Sequence, residues 1–291
     1  MNKQTYTAFS PGHISGFFEP VYYQTDNSKS GSRGAGINIT LGATTQVMIS
    51  DSTSNDINIT INGRKSNATV TTLALKYLIG NKQTSINVNT KLDLPVGQGF
   101  GMSAAGTLSA ALACSKLLNL SSTDALKAAH FAEIQLRTGL GDVMGMNFGG
   151  IEIRKNPGLP PWGMVEHIPG YFDIVLCILG KRIDTKKILN DKNQTDKIIE
   201  YGKLCTKKIL DKPSIENFFY LSQLFTNKTG LASKKIIDVI NIANNYGMAS
   251  MCMLGNSIFA AGKTPELVKT LAKFGKVYLC SIDKYGARII E

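Results

Sequence analysis

One segment carries more structural information than any other in this chain: Leu94-Pro95-Val96-Gly97-Gln98-Gly99-Phe100-Gly101-Met102-Ser103-Ala104-Ala105. An alternating pattern before it predicts a β-strand at 85–92, and the Ala- and Leu-rich run after it predicts a buried helix at 103–118. Three alternating glycines between a strand and a helix expose backbone N–H groups beside the positive end of the helix dipole. The segment therefore predicts an anion-binding loop. The alternative is a glycine-rich turn that only lets helix and sheet pack closely.

The spacing of these glycines excludes two common nucleotide-binding loops. Thr107 stands where a Walker A loop has its lysine, and the glycines do not follow the G-x-G-x-x-G pattern of dinucleotide-binding folds. The uncharged stretch at 94–115 is long enough to cross a bilayer. Its four glycines and Pro95 instead favour a loop that opens into a buried helix.

The rest of the chain predicts an α+β protein with two domains. In the first half we expect short strands at 37–41, 46–50 and 57–61, helices at 69–79 and 121–137, and a strand at 149–154. Prolines and glycine at 157–161 predict a linker, so we place the domains at 1–165 and 166–291. In the second half, strands at 172–179, 249–254, 257–261 and 276–282 with intervening helices predict a split βαβ, ferredoxin-like arrangement.

The chain is poor in charge but strongly basic, with 18% charged residues and a net charge of +11. Most of the excess lies at 181–235, where both signs recur at helical spacing, in Lys186, Lys187, Asp191, Lys192, Asp196, Lys197 and Glu200. This pattern favours solvated helix faces. A nucleic-acid surface is the alternative, but the sequence has no Cys/His finger, arginine cluster or basic run interleaved with aromatics.

Five cysteines are scattered through apolar surroundings without a Cys-x-x-Cys pair: Cys114, Cys177, Cys205, Cys252 and Cys280. This usage is typical of buried, reduced thiols in a cytosolic protein. The first residues contain no apolar region of the kind that secretory signals carry. We therefore expect a cytoplasmic protein without a membrane or nucleic-acid partner, and the sequence leaves a homodimer open.

Two acidic residues follow the glycine loop. Glu133 lies one helical turn after His130, and Asp142 lies in a glycine-flanked turn shortly before Gly149 and Gly150. Taken singly, Glu133 is expected to be a surface or capping carboxylate and Asp142 a turn former. Behind a phosphate-binding loop, however, two carboxylates suit Mg²⁺ binding and hydroxyl activation.

Together these segments resemble the GHMP kinase superfamily, which includes galactokinase, homoserine kinase and mevalonate kinase. The resemblance implies a ribosomal-protein-S5-domain-2-like N-terminal half and a ferredoxin-like C-terminal half. It implies that ATP contacts the loop through Pro95, Gly97, Gly99, Phe100, Gly101, Met102, Ser103, Ala104 and Ala105. It also implies that Ser103 and Glu133 ligate Mg²⁺ and that Asp142 positions and deprotonates the attacking hydroxyl. Met102 departs from the superfamily, many of whose members have serine there.

The segments 8–19, 31–37, 138–143, 154–163 and 249–257 resemble one group within that superfamily, the archaeal pantoate kinases. This resemblance implies an acceptor with one carboxylate and two hydroxyl groups. Arg154 is the candidate for the carboxylate, and Ser32, His130 and, less strongly, His13 are candidates for the polar groups. The alternatives are another small-molecule GHMP kinase, acting on homoserine or mevalonate, and a non-catalytic protein that binds nucleotides or nucleic acid.

Overall fold

The computed structural model describes residues 4–51, 56–140, 142–182, 188 and 191–290. Its first sheet has eight strands: β1 (Thr5–Val21), β2 (Gly31–Asp51), β3 (Ile57–Ile61), β4 (Arg64–Lys65), β5 (Thr84–Leu92), β6 (Ile151–Asn156), β7 (Met164–Ile168) and β12 (Arg288–Ile289). The main path runs β12-β1-β2-β5-β3-β4, while β6 pairs with β2 and with β7. Of these pairings only β3 with β5 is parallel.

Two long strands dominate the first sheet, where the sequence pattern predicts only short ones. β1 has 17 residues and β2 has 21, and they pair antiparallel from Thr5 opposite Met48 to Val21 opposite Gly31. The expected strands at 37–41 and 46–50 are parts of β2, and no strand was predicted for β1. The pairing shifts register after Pro11 and after Ser15, and these irregularities let proline and glycine lie within a continuous strand.

Four helices accompany this sheet: α1 (Thr69–Ile79), α2 (Met102–Leu117), α3 (Ser122–Leu136) and α4 (Asp142–Phe148). α2 is the central one, since 13 of its 16 residues are buried, and it packs on β1 and β2. α3 begins with a capping box. The Ser121 hydroxyl accepts a hydrogen bond from the N–H of Asp124, and the Asp124 carboxylate accepts one from the N–H of Ser121. The predicted helices at 69–79, 103–118 and 121–137 are thus confirmed.

The second sheet confirms the ferredoxin-like prediction. It contains β8 (Asp173–Ile178), β9 (Gly247–Met251), β10 (Ser257–Gly262) and β11 (Lys276–Ser281), in the order β11-β8-β10-β9. Its helices are α5 (Lys192–Asp211), α6 (Ile215–Thr229), α7 (Lys234–Ala243) and α8 (Thr264–Leu271). In chain order, three helices of the described residues lie between β8 and the β9–β10 hairpin, and α8 lies between that hairpin and β11, which is the split βαβ pattern.

Residues 157–161 form a hairpin loop rather than the expected linker. The loop joins β6 to β7 within the first sheet, and the N–H of Leu159 donates to the carbonyl oxygen of Ser28 at 2.7 Å. Proline and glycine are as suitable for a tight hairpin as for a linker, so composition alone did not separate the two. The expected division after residue 165 therefore falls inside β7. The division into domains stays a prediction.

Aromatic contacts join the two sheets into one core. Phe17 lies 6.1 Å from Phe218 between ring centroids, and Phe18 lies 5.7 Å from Phe225. Both pairs connect β1 of the first sheet to α6 of the second half. β1 therefore positions residues against both halves of the molecule.

The charged region and the cysteines largely follow the sequence interpretation. Five of the seven charged residues named there are exposed at the start of α5: Asp191, Lys192, Asp196, Lys197 and Glu200. Lys186 and Lys187 lie outside the described residues. All five cysteines are buried free thiols. Within the described ranges, no helix combines the length and apolar character that a membrane span requires.

Candidate active site

The glycine loop adopts a backbone that few other residues tolerate. Gly97, Gly99 and Gly101 have positive φ angles of 79°, 78° and 63°. Gly101 is the N-cap of α2 and provides no side-chain hydrogen bond to the first turn. The first N–H groups of a buried helix therefore have no side-chain cap, which is the arrangement that anion-binding helix termini use.

Contacts from both halves of the molecule hold this loop. The N–H of His13 in β1 donates to the carbonyl oxygen of Phe100 at 3.0 Å. From the second half, the Ser257 hydroxyl donates to the carbonyl oxygen of Gln98 at 2.5 Å. A Cβ at Gly99 would lie 2.6 Å from the carbonyl oxygen of Cys252, so the backbones approach too closely for any side chain. The loop is thus a preformed cradle clamped between two sheets.

A cavity of about 230 Å³ opens in front of the loop. Its wall combines the glycine loop, the first turn of α2, the end of α3 with the start of α4, the two long strands, and one connection of the second sheet. The lining residues are Ser15, Phe18, Ser32, Val96, Gly97, Gly99, Gly101, Met102, Ser103, Ala104, Glu133, Thr138, Gly139, Leu140, Asp142, Met253 and Leu254.

Two carboxylates face this cavity. Glu133 is only 3% exposed, and its Oε2 has no hydrogen-bond partner among the described residues. Burial raises the pKa of Glu133 well above its usual 4.5, the charge of Asp142 raises it further, and the N–H of Val143 opposes both effects. A buried carboxylate with an unpaired oxygen on a cavity wall is a position that a cation would stabilise.

The pKa of Asp142 is shifted in the opposite direction, below its usual value. Burial alone would raise its pKa, but the hydrogen bond and charge of His13 and the charge of Arg154 outweigh burial and lower it. Its Oδ1 lies 3.1 Å from Nδ1 of His13, and its side chain stays 34% exposed toward solvent. The site therefore contains one carboxylate that protonates readily and one that remains ionised, as paired acidic groups with distinct roles do.

His13 bridges Asp142 to a second carboxylate that lies deeper. Its Nε2 is 2.8 Å from Oε1 of Glu152, and both side chains are fully buried. The two carboxylate hydrogen bonds raise the pKa of His13 although burial, the largest single influence, lowers it. Arg154 donates to the same Oε1 of Glu152. This leaves neither ring nitrogen of His13 free for a substrate in this arrangement.

The structure brings only some of the candidate residues to the cavity. Ser32, Ser103, Glu133, Asp142 and most of the glycine loop line it, whereas Pro95, Phe100, Ala105, His13, His130 and Arg154 do not. Arg154 is 2% exposed, and its Nη2 is 3.4 Å from Oγ of the lining residue Ser15. His130 is fully buried, with Nε2 3.3 Å from the carbonyl oxygen of Asn27. Gly141, beside Asp142, lies outside the described residues.

Comparisons with known proteins identify the family of this chain. Residues 67–150 match the family described as GHMP kinases N terminal domain. The chain is 32% identical over 275 residues to the pantoate kinase of Methanocaldococcus jannaschii, covering 94% of this chain and 99% of that protein. The chain belongs to the pantoate kinase family of GHMP kinases.

A second curated relative and a solved structure are similar to the chain over nearly its whole length. The pantoate kinase of Methanospirillum hungatei is 35% identical over 288 residues, covering 98% of this chain and 96% of that protein. A solved structure titled "Phosphotransferase related to CoA biosynthesis pathway" has a TM-score of 0.91 and 28% identity, covering 99% of both chains. The predicted GHMP-kinase fold is therefore confirmed in both halves.

Membership of the GHMP kinases implies a magnesium ion, and the oxygen atoms of Ser103 and Glu133 on the cavity wall suit one. Ser103 presents an exposed hydroxyl from the first turn of α2, and Glu133 presents its unpaired Oε2. Among the described residues, no group of three or more His, Cys, Asp or Glu side chains could hold a metal. Magnesium commonly takes one or two protein oxygens and completes its shell with phosphate and water, so this pair suits it.

Sequence reasoning did not find Glu152, Ser15 or Thr138. Thr138 lines the cavity, and its buried hydroxyl has no partner among the described residues. A signal for Glu152 existed, because Ile151-Glu152-Ile153-Arg154 alternates apolar and charged residues on a strand. Alternation places Glu152 and Arg154 on one face and predicts an ion pair there. No local signal marks Ser15 and Thr138, since hydroxyl residues are common in strands and turns.

Proposed function

We propose that this protein transfers the γ-phosphoryl group of ATP to the 4-hydroxyl group of (R)-pantoate, forming (R)-4-phosphopantoate for coenzyme A biosynthesis. The full-length similarity to proteins named pantoate kinase supports the substrate. The observation that carries the chemistry is that one cavity is lined by the glycine loop, Ser103, Glu133 and Asp142 together. Phosphoryl transfer requires a phosphate cradle, a cation site and a group for the acceptor hydroxyl within one enclosed space.

The loop and the start of α2 would bind the triphosphate. Gly97, Gly99 and Gly101 let phosphate oxygens approach the backbone, and the N-terminus of α2 adds a partial positive charge. Ser103 and Glu133 would hold Mg²⁺, which when bound neutralises charge on the phosphate oxygens. Because burial makes an uncompensated Glu133 carboxylate unfavourable, this side chain is prepared to accept a cation.

Asp142 would position the 4-hydroxyl group and accept its proton. A base must be ionised before it can accept a proton, and the His13 hydrogen bond keeps the pKa of Asp142 low. Its partly exposed side chain points into the cavity, where an acceptor can reach it. A low pKa makes Asp142 a weak base, so its main contributions would be alignment of the hydroxyl and proton uptake late in the transfer.

The acceptor residues remain a proposal. Ser32 lines the cavity and can hydrogen-bond a hydroxyl of pantoate directly. Arg154 would attract the carboxylate from behind Ser15, because its guanidinium approaches that cavity residue without entering the wall. His130 lies behind the cavity wall with Nε2 on the carbonyl oxygen of Asn27, and its contact with substrate stays a prediction.

An assay of ADP formation tests the proposal. Purified protein with ATP and Mg²⁺ is given pantoate, mevalonate or homoserine in parallel, and ADP release is followed by a coupled enzyme assay. We expect rapid turnover with pantoate only. Turnover with mevalonate or homoserine instead would assign another GHMP kinase activity. ATP binding without turnover of any acceptor would favour a non-catalytic nucleotide-binding protein.

A further inference from the structure

We infer that Glu152 is a positioning residue for phosphoryl transfer: its carboxylate keeps His13 protonated and fixed, so that His13 holds Asp142 ionised on the cavity wall. Glu152 does not line the cavity, and it acts only through its neighbours. The inference rests on the proposed function, in which Asp142 faces the acceptor hydroxyl.

The hydrogen bonds of His13 define its protonation state. Nδ1 lies 3.1 Å from a carboxylate oxygen of Asp142, and Nε2 lies 2.8 Å from a carboxylate oxygen of Glu152. A neutral imidazole has one donor nitrogen and one acceptor nitrogen, and an ionised carboxylate can only accept. Both contacts are favourable together only when His13 is an imidazolium that donates twice.

Charges alternate along the row of side chains that runs inward from Asp142. Asp142, His13, Glu152 and Arg154 carry negative, positive, negative and positive charge, and each contacts the next. Nη1 of Arg154 also lies 3.2 Å from Nε2 of His13, and it can donate there only to a neutral ring. Without Glu152, the charge of Arg154 would therefore face a protonated His13 with no carboxylate between them. Like charges this close in a buried place favour loss of the proton from histidine. Glu152 is thus the residue that lets His13 and Arg154 be charged side by side.

Two glycines leave the space in which this pair lies. A Cβ at Gly36 would be 2.4 Å from Nε2 of His13 and 2.8 Å from Oε1 of Glu152. A Cβ at Gly145 would be 2.8 Å from the same Nε2. Neither glycine has the positive φ that would require glycine for backbone reasons. The His13–Glu152 contact itself therefore excludes any side chain larger than that of glycine at both positions.

The test compares Glu152→Gln with Glu166→Gln. Glutamine keeps the size of the side chain and its acceptor oxygen but removes the charge. Glu166 is the matched control, because it lies on the neighbouring strand β7 and forms an exposed ion pair with Lys155. We expect kcat to fall about 10- to 100-fold in Glu152→Gln, the loss typical when the hydrogen-bond partner behind a metal-binding side chain is removed, with the KM for ATP unchanged. Glu166→Gln should behave as wild type, and Glu152→Asp should recover part of the lost kcat.

A spectroscopic measurement separates positioning from general damage. The chain has only three histidines, so the long-range ¹H–¹⁵N spectrum of the rings is simple, and His13→Asn identifies the His13 signals. At neutral pH we expect both ring nitrogens of His13 to be protonated in the wild type and one of them to be unprotonated in Glu152→Gln. A neutral His13 in the wild type would overturn the inference even if Glu152→Gln failed to fold.

The inference and the proposed function can fail separately. A wild-type protein that does not phosphorylate pantoate would refute the proposed function, while the ring spectrum would still report whether Glu152 holds His13 protonated. An active wild type with unchanged kcat in a folded Glu152→Gln variant would refute the inference and leave the function intact.

Discussion

Replacing Gly99 by alanine tests whether the glycine loop is a phosphate cradle clamped by the second half of the chain. The new Cβ would lie 2.6 Å from the carbonyl oxygen of Cys252, whereas Cβ atoms essentially never approach closer than 3.0 Å. The backbone must therefore move by at least 0.4 Å, the difference between these distances. Gly63 is the matched control, because its φ of 76° is close to the 78° of Gly99 and its Cβ would meet nothing within 4 Å.

The two substitutions share one cost and differ in another. Alanine at a left-handed φ lowers the free energy of unfolding by roughly 1–2 kcal/mol at either position. Only Gly99→Ala adds the collision, and overpacking of this kind costs about 1–3 kcal/mol. In a chain of this size 1 kcal/mol corresponds to a Tm change of roughly 2 °C. Gly99→Ala should therefore unfold some 2–6 °C below Gly63→Ala, a range that follows from that conversion.

Thermal unfolding with and without ATP and Mg²⁺ measures both effects. Ligand that binds only the folded state raises the Tm according to its affinity. We expect ATP to stabilise the wild type and Gly63→Ala equally and to stabilise Gly99→Ala much less, because the displaced loop no longer fits the phosphates. Equal Tm values for the two variants, or an undiminished ATP effect in Gly99→Ala, would refute the description of the loop as a clamped cradle.

Three further predictions concern the polar residues of the cavity. Asp142→Asn should lower kcat by roughly 10²-fold or more with little change in the unfolding curve, and near wild-type turnover would contradict its role. Glu133→Gln should abolish Mg²⁺-dependent turnover yet raise the free energy of unfolding at neutral pH. The raised pKa of Glu133 means that its ionised form disfavours folding above that pKa and that this cost disappears below about pH 4.5, so wild type and variant should converge in acid denaturation experiments. Ser103→Ala should raise the Mg²⁺ concentration needed for half-maximal rate without altering the Tm, because its side chain is exposed; an unchanged Mg²⁺ requirement would exclude Ser103 as a ligand.

The sequence predicted most described elements of the second half and three helices of the first. It was wrong at Asp142, where the expected turn is the start of α4, and it missed β1. Helices such as α3 can be predicted from local sequence, because periodic apolar residues and the Ser121–Asp124 cap mark them. β1 contains Pro11, Gly12 and Gly16, which locally argue against a strand. It forms because β2 provides a partner along its whole length and bulges absorb the irregular residues. Such pairing energy comes from residues distant in sequence and leaves little trace in the strand itself.

The amino-acid sequence by itself indicated the glycine loop as a candidate phosphate site, because closely spaced glycines between a strand and a helix are a local property of the chain. It also indicated Glu133, Asp142 and Ser103 through their order behind that loop. Only the tertiary structure decided the electrostatic state of these groups. His13 is 129 residues from Asp142 and 139 residues from Glu152, and folding brings both carboxylates to its ring. Burial and charges from residues distant in sequence lower the pKa of Asp142 and raise that of Glu133, and no single segment of the sequence contains both influences.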